Sequence, residues 1–239
     1  MARPGDAFGE ALLEFLDGRG PGAHIIERDD GLVEGMPSVE PYFGGPDGLA
    51  EIERQAIELI GDRVLDIGAG AGRFSLAAQA RGAETVALDD SAGAIEVCRR
   101  RGVDRVINES FHSYQAEERF DTFLMMGHNL GLLAPDPART LNRLAAMAMP
   151  GAVILGTSLD PYATEEPTHL EYHEANRARG RRGGHLVLRV RTKRLIGPWF
   201  DYLFSSFAEL ADLASQSGWE ATIVASDDVR YLAALRLRV

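Results

Sequence analysis

The chain has 239 residues, with 25 basic against 36 acidic side chains, a net charge of −11 and a 45% hydrophobic share. That length is enough to bury a sizeable core in one domain or a domain with a lid, and the hydrophobic share excludes a disordered chain. The acidic balance disfavours a long polyanion as the main partner, and no run of 18 apolar residues is present to span a membrane.

Asp6, Glu10 and Glu14 occupy the region where a secretory signal would be basic and then apolar, so no signal peptide is expected. The single cysteine, Cys98, cannot close an internal disulfide, which fits a reducing cytoplasm. Lys193 is the one lysine among 25 basic residues, and with the many alanines and glycines this points to a GC-rich, bacterial genome.

In chain order, residues 1–50 are interrupted by Gly and Pro around a short apolar stretch, Ala11–Leu16. Leu49, Ile52, Ala56, Ile57 and Ile60 then recur at helical spacing before Gly61. Arg63–Ile67 is a strand leading into the glycine-rich turn Gly68-Ala69-Gly70-Ala71-Gly72. Phe74–Arg81 is a helix and Thr85–Leu88 the second strand. Ser91 caps a helix that runs through Arg101 and ends at Gly102. Arg105–Ile107 and Thr122–Met126 are the third and fourth strands. Asp136-Pro137 opens the next helix, and Ala152–Leu159 is the fifth strand. Residues 160–185 read as irregular and charge-rich, and His185–Arg194 alternates like a strand. Ser206 to Glu209 forms a capping box for a helix that ends at Gly218. Trp219–Ala225 and Arg230–Leu237 form a closing antiparallel hairpin. Strands alternating with helices imply parallel pairing in an open α/β sheet.

In such a sheet the ligand lies outside the carboxyl ends of the strands. Glycines after the first strand let the chain turn sharply and let a ligand approach the backbone. The spacing is G-x-G-x-G, with Arg73 where a dinucleotide fingerprint has Gly or Ala. Asp66, two residues before the first glycine, would repel a pyrophosphate and attract a cationic amino group. Asp89, followed by Asp90, ends the second strand, where a carboxylate can accept hydrogen bonds from vicinal ribose hydroxyls. After the third strand, Glu109-Ser110 is placed to read an adenine edge.

These features resemble the class I S-adenosylmethionine-dependent methyltransferases from about residue 50 to the C-terminus. Val64–Gly72 resembles the family's first motif, Asp89 its ribose acid and Glu109-Ser110 its adenine-reading position, although Glu109 stands where the family more often has Asp. The resemblance implies a Rossmann-like, mostly parallel α/β sheet with a terminal antiparallel hairpin, and S-adenosyl-L-methionine as cofactor. Asp66, Gly68, Ala69, Gly70, Gly72, Asp89, Asp90, Glu109, Ser110 and Met126 are the expected cofactor residues.

The expected organisation is a single domain. It comprises an N-terminal lid (1–48), a cofactor core (49–159), an inserted substrate lid (160–205) and a C-terminal helix and hairpin (206–239). His128, just after the fourth strand, is the expected general base, since an imidazole takes a proton near neutral pH. Tyr42, Asn129, Tyr162, His169, Tyr172 and Trp199 are the expected substrate contacts. His169 and His173 share a helical face if that piece is helical, but no third ligand completes a metal set, and none is assigned.

Residues 175–199 carry eight basic side chains and no acid, either a solvated face or a site for an anionic group. The expected reaction is methyl transfer to an O or N nucleophile of a small molecule, such as a bacterial specialised metabolite. Nucleic acid and membrane are not expected as partners, and a homodimer stays open. The alternatives are a methyltransferase acting on RNA or protein, or a cofactor-binding protein without transferase activity.

Overall fold

The computed structural model describes residues 5–238. Among them the apolar stretch near the N-terminus forms α1 (Ala7–Leu16), capped by the Asp6 carboxylate, which accepts the Gly9 N–H at 2.9 Å. β1 (His24–Arg28) and β2 (Val33–Met36) follow as an antiparallel pair. α2 (Glu51–Glu58) leads into β3 (Arg63–Ile67), α3 (Arg73–Ala80) and β4 (Glu84–Asp89). Next come α4 (Ala92–Arg100), β5 (Arg105–Asn108), β6 (Phe120–Met125) and α5 (Pro137–Ala146). Ser91 caps α4 and Asp136 caps α5, as their side chains require.

The chain continues through β7 (Ala148–Leu159), α6 (Pro167–Ala178), β8 (His185–Arg191) and β9 (Phe200–Leu203). It closes with α7 (Phe207–Gln216), β10 (Trp219–Ser226) and β11 (Arg230–Leu237). Among the described residues no helix is long and apolar enough to cross a membrane.

The main sheet has seven strands in the order β10-β11-β7-β6-β3-β4-β5. β3 pairs in parallel with β4 and β6, and β6 with β7, while β7–β11 and β10–β11 are antiparallel. The expected Rossmann-like sheet with a terminal hairpin is therefore present. Val64 to Ile67 of β3 are buried, as a central parallel strand covered on both faces requires. One core layer packs Leu65, Phe123, Ile154 and Trp219 beneath α5 and α7, and Trp219 Nε1 donates to Leu141 O at 3.2 Å. The other packs Ala56, Phe74, Leu124 and Leu155 beneath α2 and α3.

Two readings of the sequence are corrected. The fifth strand begins at Ala148, because Phe120 pairs with Ala148 ahead of a register shift. Within the charge-rich stretch the His169–His173 piece is helical, in α6, but its face is not solvated: Tyr172, His173 and Asn176 form a buried strip. Its period is hidden because that buried face is polar, held in part by Asn176 Nδ2, which donates to Gly183 O and His185 O at 3.0 and 2.6 Å.

A second sheet, β2-β1-β8-β9, is wholly antiparallel. It joins the N-terminal segment to the insertion after β7, with Ile25 opposite Arg191 and Arg28 opposite Leu188. Glu27 on β1 accepts from Arg189 and Arg191 on β8 at 2.8 and 2.9 Å, so one acid offsets two cations of the basic segment.

Candidate functional site

The chain enters the main sheet at its middle and then builds outward on both sides, so strand order reverses at the carboxyl end of β3 and a crevice opens there. Gly68, Gly70 and Gly72 hold φ of 70°, 55° and 78°, a left-handed run that side chains disfavour. A Cβ on Gly68 would stand 2.5 Å from Asn129 Nδ2, and one on Gly72 would stand 2.9 Å from Cys98 Sγ. At Gly70 the nearest atom would be Phe8 Cε1, 3.8 Å away. Gly70 is thus the turn glycine that backs onto free space.

Asp89 faces this turn. Its Oδ2 accepts the Gly70 N–H and its Oδ1 the Ser91 N–H, each at 2.9 Å. A carboxylate offers about four lone-pair positions, so each oxygen keeps one for a vicinal diol. Burial pushes the Asp89 carboxyl up to about 7, with the charges of Asp90 and Asp6 adding to it. Hydroxyl donors from a ligand would favour the ionised form again. Desolvation also raises Asp90, with Asp6 contributing. Asn108 Nδ2 donates to the carbonyls of both Asp89 and Asp90 at 3.0 Å and fixes the rim. Glu109 is exposed and accepts the Ser113 hydroxyl at 2.9 Å, and the Ser110 hydroxyl oxygen accepts the His112 N–H at 3.3 Å. Ala69 packs inward beside Ala87 and Cys98. A turn with room at Gly70, a carboxylate with diol capacity and a second acid along the rim fit an adenosyl group.

The crevice has a roof. The Phe8 ring over Gly70 meets Tyr42 at 5.5 Å and His24 at 6.0 Å, both edge-on. Asp6 ties α1 down, accepting the Ser91 hydroxyl and the Gly93 N–H at 2.8 Å each. Arg73 Nη1 donates to Pro41 O at 2.7 Å and Arg101 Nη2 to Phe43 O at 2.8 Å, clamping the segment that carries Tyr42.

On the β6 side, His128 has a φ of 69° and donates its N–H to Thr157 Oγ1 at 2.8 Å. Its carbonyl accepts the Tyr202 hydroxyl at 2.7 Å, and its ring meets Phe204 edge-on at 6.2 Å. Nδ1 of His128 is buried and has no partner among the described residues. Burial, then the Arg230 charge, hold this imidazole below the ordinary histidine value, so it is neutral near pH 7.

The sequence carries no signal for His24, whereas Tyr202 ends an aromatic segment, 197–202, placed to fold over the cleft mouth. His24 is buried, with Nδ1 3.0 Å from Gly22 O. A carbonyl only accepts, so Nδ1 carries the hydrogen and Nε2 is left with a bare lone pair. Burial lowers this imidazole too. A lone histidine opening a short strand carries no motif, and the loop between its strand and the main sheet hides its place.

The structure engages several of the expected contacts elsewhere. Asp66 is 1% exposed and accepts the Ser75 hydroxyl at 2.6 Å, so it braces α3 instead of offering an open carboxylate. Met126 is 2% exposed and belongs to the core layer with Leu124 and Leu155. Asn129 donates from Nδ2 to Ile67 O and Gly68 O at 3.0 and 2.9 Å, which spends its amide on holding the turn. Tyr162 donates to Glu209 at 2.7 Å, and His169 Nδ1 lies 3.4 Å from the Thr164 hydroxyl. Tyr172 donates to Asp29 at 2.6 Å beneath the Arg28 guanidinium, and its phenol is pushed up to about 12 mainly by burial. Trp199 is 43% exposed and stacks on Arg189 at 4.3 Å. These four side chains are occupied within the lid, whereas Tyr42, Asp89 and His128 border the crevice.

Residues 64–151 match the model of a family described as a methyltransferase domain. The matched segment is that of a methyltransferase domain, and the fold is the Rossmann-like sheet of solved S-adenosylmethionine-dependent methyltransferases. It is 37% identical over 107 residues to a demethylmenaquinone methyltransferase of Clavibacter sepedonicus, a match covering 43% of each chain. It is 29% identical over 112 residues to a ubiquinone biosynthesis O-methyltransferase of Alkalilimnicola ehrlichii, again over 43% of each. The match therefore spans less than half the length of these relatives. A methyltransferase of Bacteroides fragilis, solved with S-adenosyl-L-homocysteine, has the same fold, with a TM-score of 0.85 at 24% identity over 100% of this chain and 98% of that one.

Proposed function

We propose that this chain is an S-adenosylmethionine-dependent methyltransferase that moves a methyl group to an oxygen or nitrogen nucleophile of a small molecule, with bacterial specialised metabolites as the acceptor class. The observation that carries the reading is Asp89, a carboxylate beside the open side of a glycine turn with lone pairs to spare for a diol. The cofactor supplies an electrophilic methyl on a sulfonium. The backbone at Gly68 to Gly72 gives its amino-acid part room, Asp89 holds the ribose hydroxyls, and Glu109-Ser110 lie at the adenine end of the rim.

Phe8, Tyr42 and Tyr202 exclude water and fix the acceptor so that its nucleophile lines up behind the methyl, the geometry on which such a displacement depends. His128, neutral near pH 7, takes the proton from the attacking O–H or N–H. The two roof segments joined into one sheet exceed what a cofactor needs and favour a shaped small-molecule pocket.

Incubation with radiolabelled cofactor and bacterial small-molecule extracts should yield a labelled product. Tight cofactor binding with no methyl leaving to any extract would instead identify a cofactor-binding protein. Asp89→Ala should weaken cofactor binding by about ten- to a hundredfold, ~1.5–3 kcal/mol for lost charge-assisted hydrogen bonds. Unchanged affinity by calorimetry removes Asp89 from the ribose.

A further inference from the structure

Eight cations lie between residues 175 and 199, and the structure engages some of them. Arg189 and Arg191 pair with Glu27, Arg177 lies 5.2 Å over the Tyr162 ring, and Arg179 lines a surface hollow with Asp29 and Asp30. Lys193 and Arg194 lie on the exposed turn after β8. Arg181 and Arg182 have no acidic partner within salt-bridge distance among the described residues. These two line a cavity of about 410 Å³ whose other walls include Pro135, Pro137, His185 and Asp201.

The loop that presents them is firmly held. The Arg181 N–H donates to Asn176 O at 2.9 Å, and Arg182 O accepts the His185 N–H at 3.1 Å. The Asn176 side chain, 1% exposed, bonds the carbonyls of Gly183 and His185 just beyond. Across the cavity, Pro135 and Pro137 make a stiff wall. The start of α5 is already capped by the Asp136 carboxylate, so the helix end contributes no open anion site. The one acid in the lining, Asp201, lies 2.8 Å from His185 Nε2. The lining therefore carries a net positive charge, with two adjacent guanidinium groups free.

Two adjacent forks suit a dianionic phosphoryl group better than a single carboxylate. The volume lies in the range of small-molecule sites and exceeds what one orthophosphate fills, while His185 and Asp201 offer hydrogen bonds to hydroxyls on the remainder. The cavity and the crevice share β9: Asp201 and Leu203 face the cavity, and Tyr202 between them turns to the opposite face, where its hydroxyl reaches the His128 carbonyl. His112 lies within electrostatic reach of both Asp201 and Asp90 on the crevice rim.

We propose that this cavity binds the phosphoryl end of a phosphorylated acceptor, with Arg181 and Arg182 as its anion clamp; the role as acceptor site rests on the methyltransferase reading. The test titrates the full chain with glucose 1-phosphate and, separately, with orthophosphate, by calorimetry, alongside S-adenosylmethionine. Glucose 1-phosphate should bind more tightly than orthophosphate, weaken as salt rises, and lose about tenfold or more in Arg181→Ala/Arg182→Ala. Cofactor affinity of that variant should stay at the wild-type value, which also shows that it is folded.

Equal binding of the ester by wild type and variant, or no binding to wild type, overturns the clamp. Equal affinity for ester and orthophosphate overturns the acceptor assignment, since the site would then take free anion. Binding of the ester at the arginines without any cofactor binding would refute the methyltransferase reading and leave the anion site standing.

Discussion

At Asp66, burial outweighs the Ser75 hydrogen bond and pushes the carboxyl up to about 6 from an ordinary value of 3.8. Between about pH 4 and pH 6 the unfolded chain gives up this proton while the folded chain keeps it. Stability from this group therefore falls as pH rises through that window, and the penalty is complete above it. Asp66→Asn keeps an acceptor for Ser75 and removes the buried charge. It should melt higher than wild type at pH 8, by a margin on the order of 2 kcal/mol, and show no such gain at pH 4. Thermal denaturation at the two pH values checks this, and a gain that is the same at both would mean the carboxyl is not perturbed.

His128 and His24 are separable by their pH profiles. Both imidazoles are lowered by burial, so the acid limb of turnover should lie below about pH 6.5, with the rate rising as the base loses its proton. His128→Ala should cut turnover by about a hundredfold or more and leave cofactor affinity unchanged. If instead the acid limb survives in His128→Ala and vanishes in His24→Gln, the base is His24.

Among the elements, α1 closes the crevice, and it does so through backbone contact. A Cβ added at Gly93 would come within 2.5 Å of Gly9 Cα, so the N-terminal ends of α1 and α4 touch with no side chain between them. The Asp6 carboxylate caps α1 and binds the start of α4 at the same time. Gly93→Ala should cost about 1–3 kcal/mol through overpacking and prise α1 away, taking Phe8 off Gly70. Hydrogen exchange of the α1 amides should quicken and cofactor affinity should fall together. Unchanged exchange would show that α1 tolerates the methyl group.

The elements of the core were legible because their signals are local. Ser91, Asp136 and Ser206 cap helices where their short polar side chains can reach free N–H groups. The buried face of α6 was not legible, because it is built from Tyr172, His173 and Asn176, whose burial depends on partners as remote as Asp29.

For the molecule as a whole, the charge of −11 and the pairing of Glu27 with two arginines disfavour a polyanion. The protein should leave a heparin matrix below ~0.15 M salt, where exposed charges are screened within about 8–10 Å. Retention far above that would favour the RNA-directed alternative. The basic segment that looked continuous in sequence is divided by the fold into paired, stacked and free cations.

The alternating α/β order, the glycine turn and the acids at the ends of two strands are legible in the chain alone. Each rests on periodicity, capping or steric freedom within a few residues. Which polar groups stay available is set by the packed fold. It turned Asp66 and Asn129 inward, placed Trp199 on the surface, and brought His24, Phe8 and Tyr202 to the crevice from segments far apart in the chain. Availability is what remains after every neighbour has taken its hydrogen bonds. Those neighbours are set by strand pairing across some 160 residues, as between Glu27 and Arg189, which no local pattern encodes.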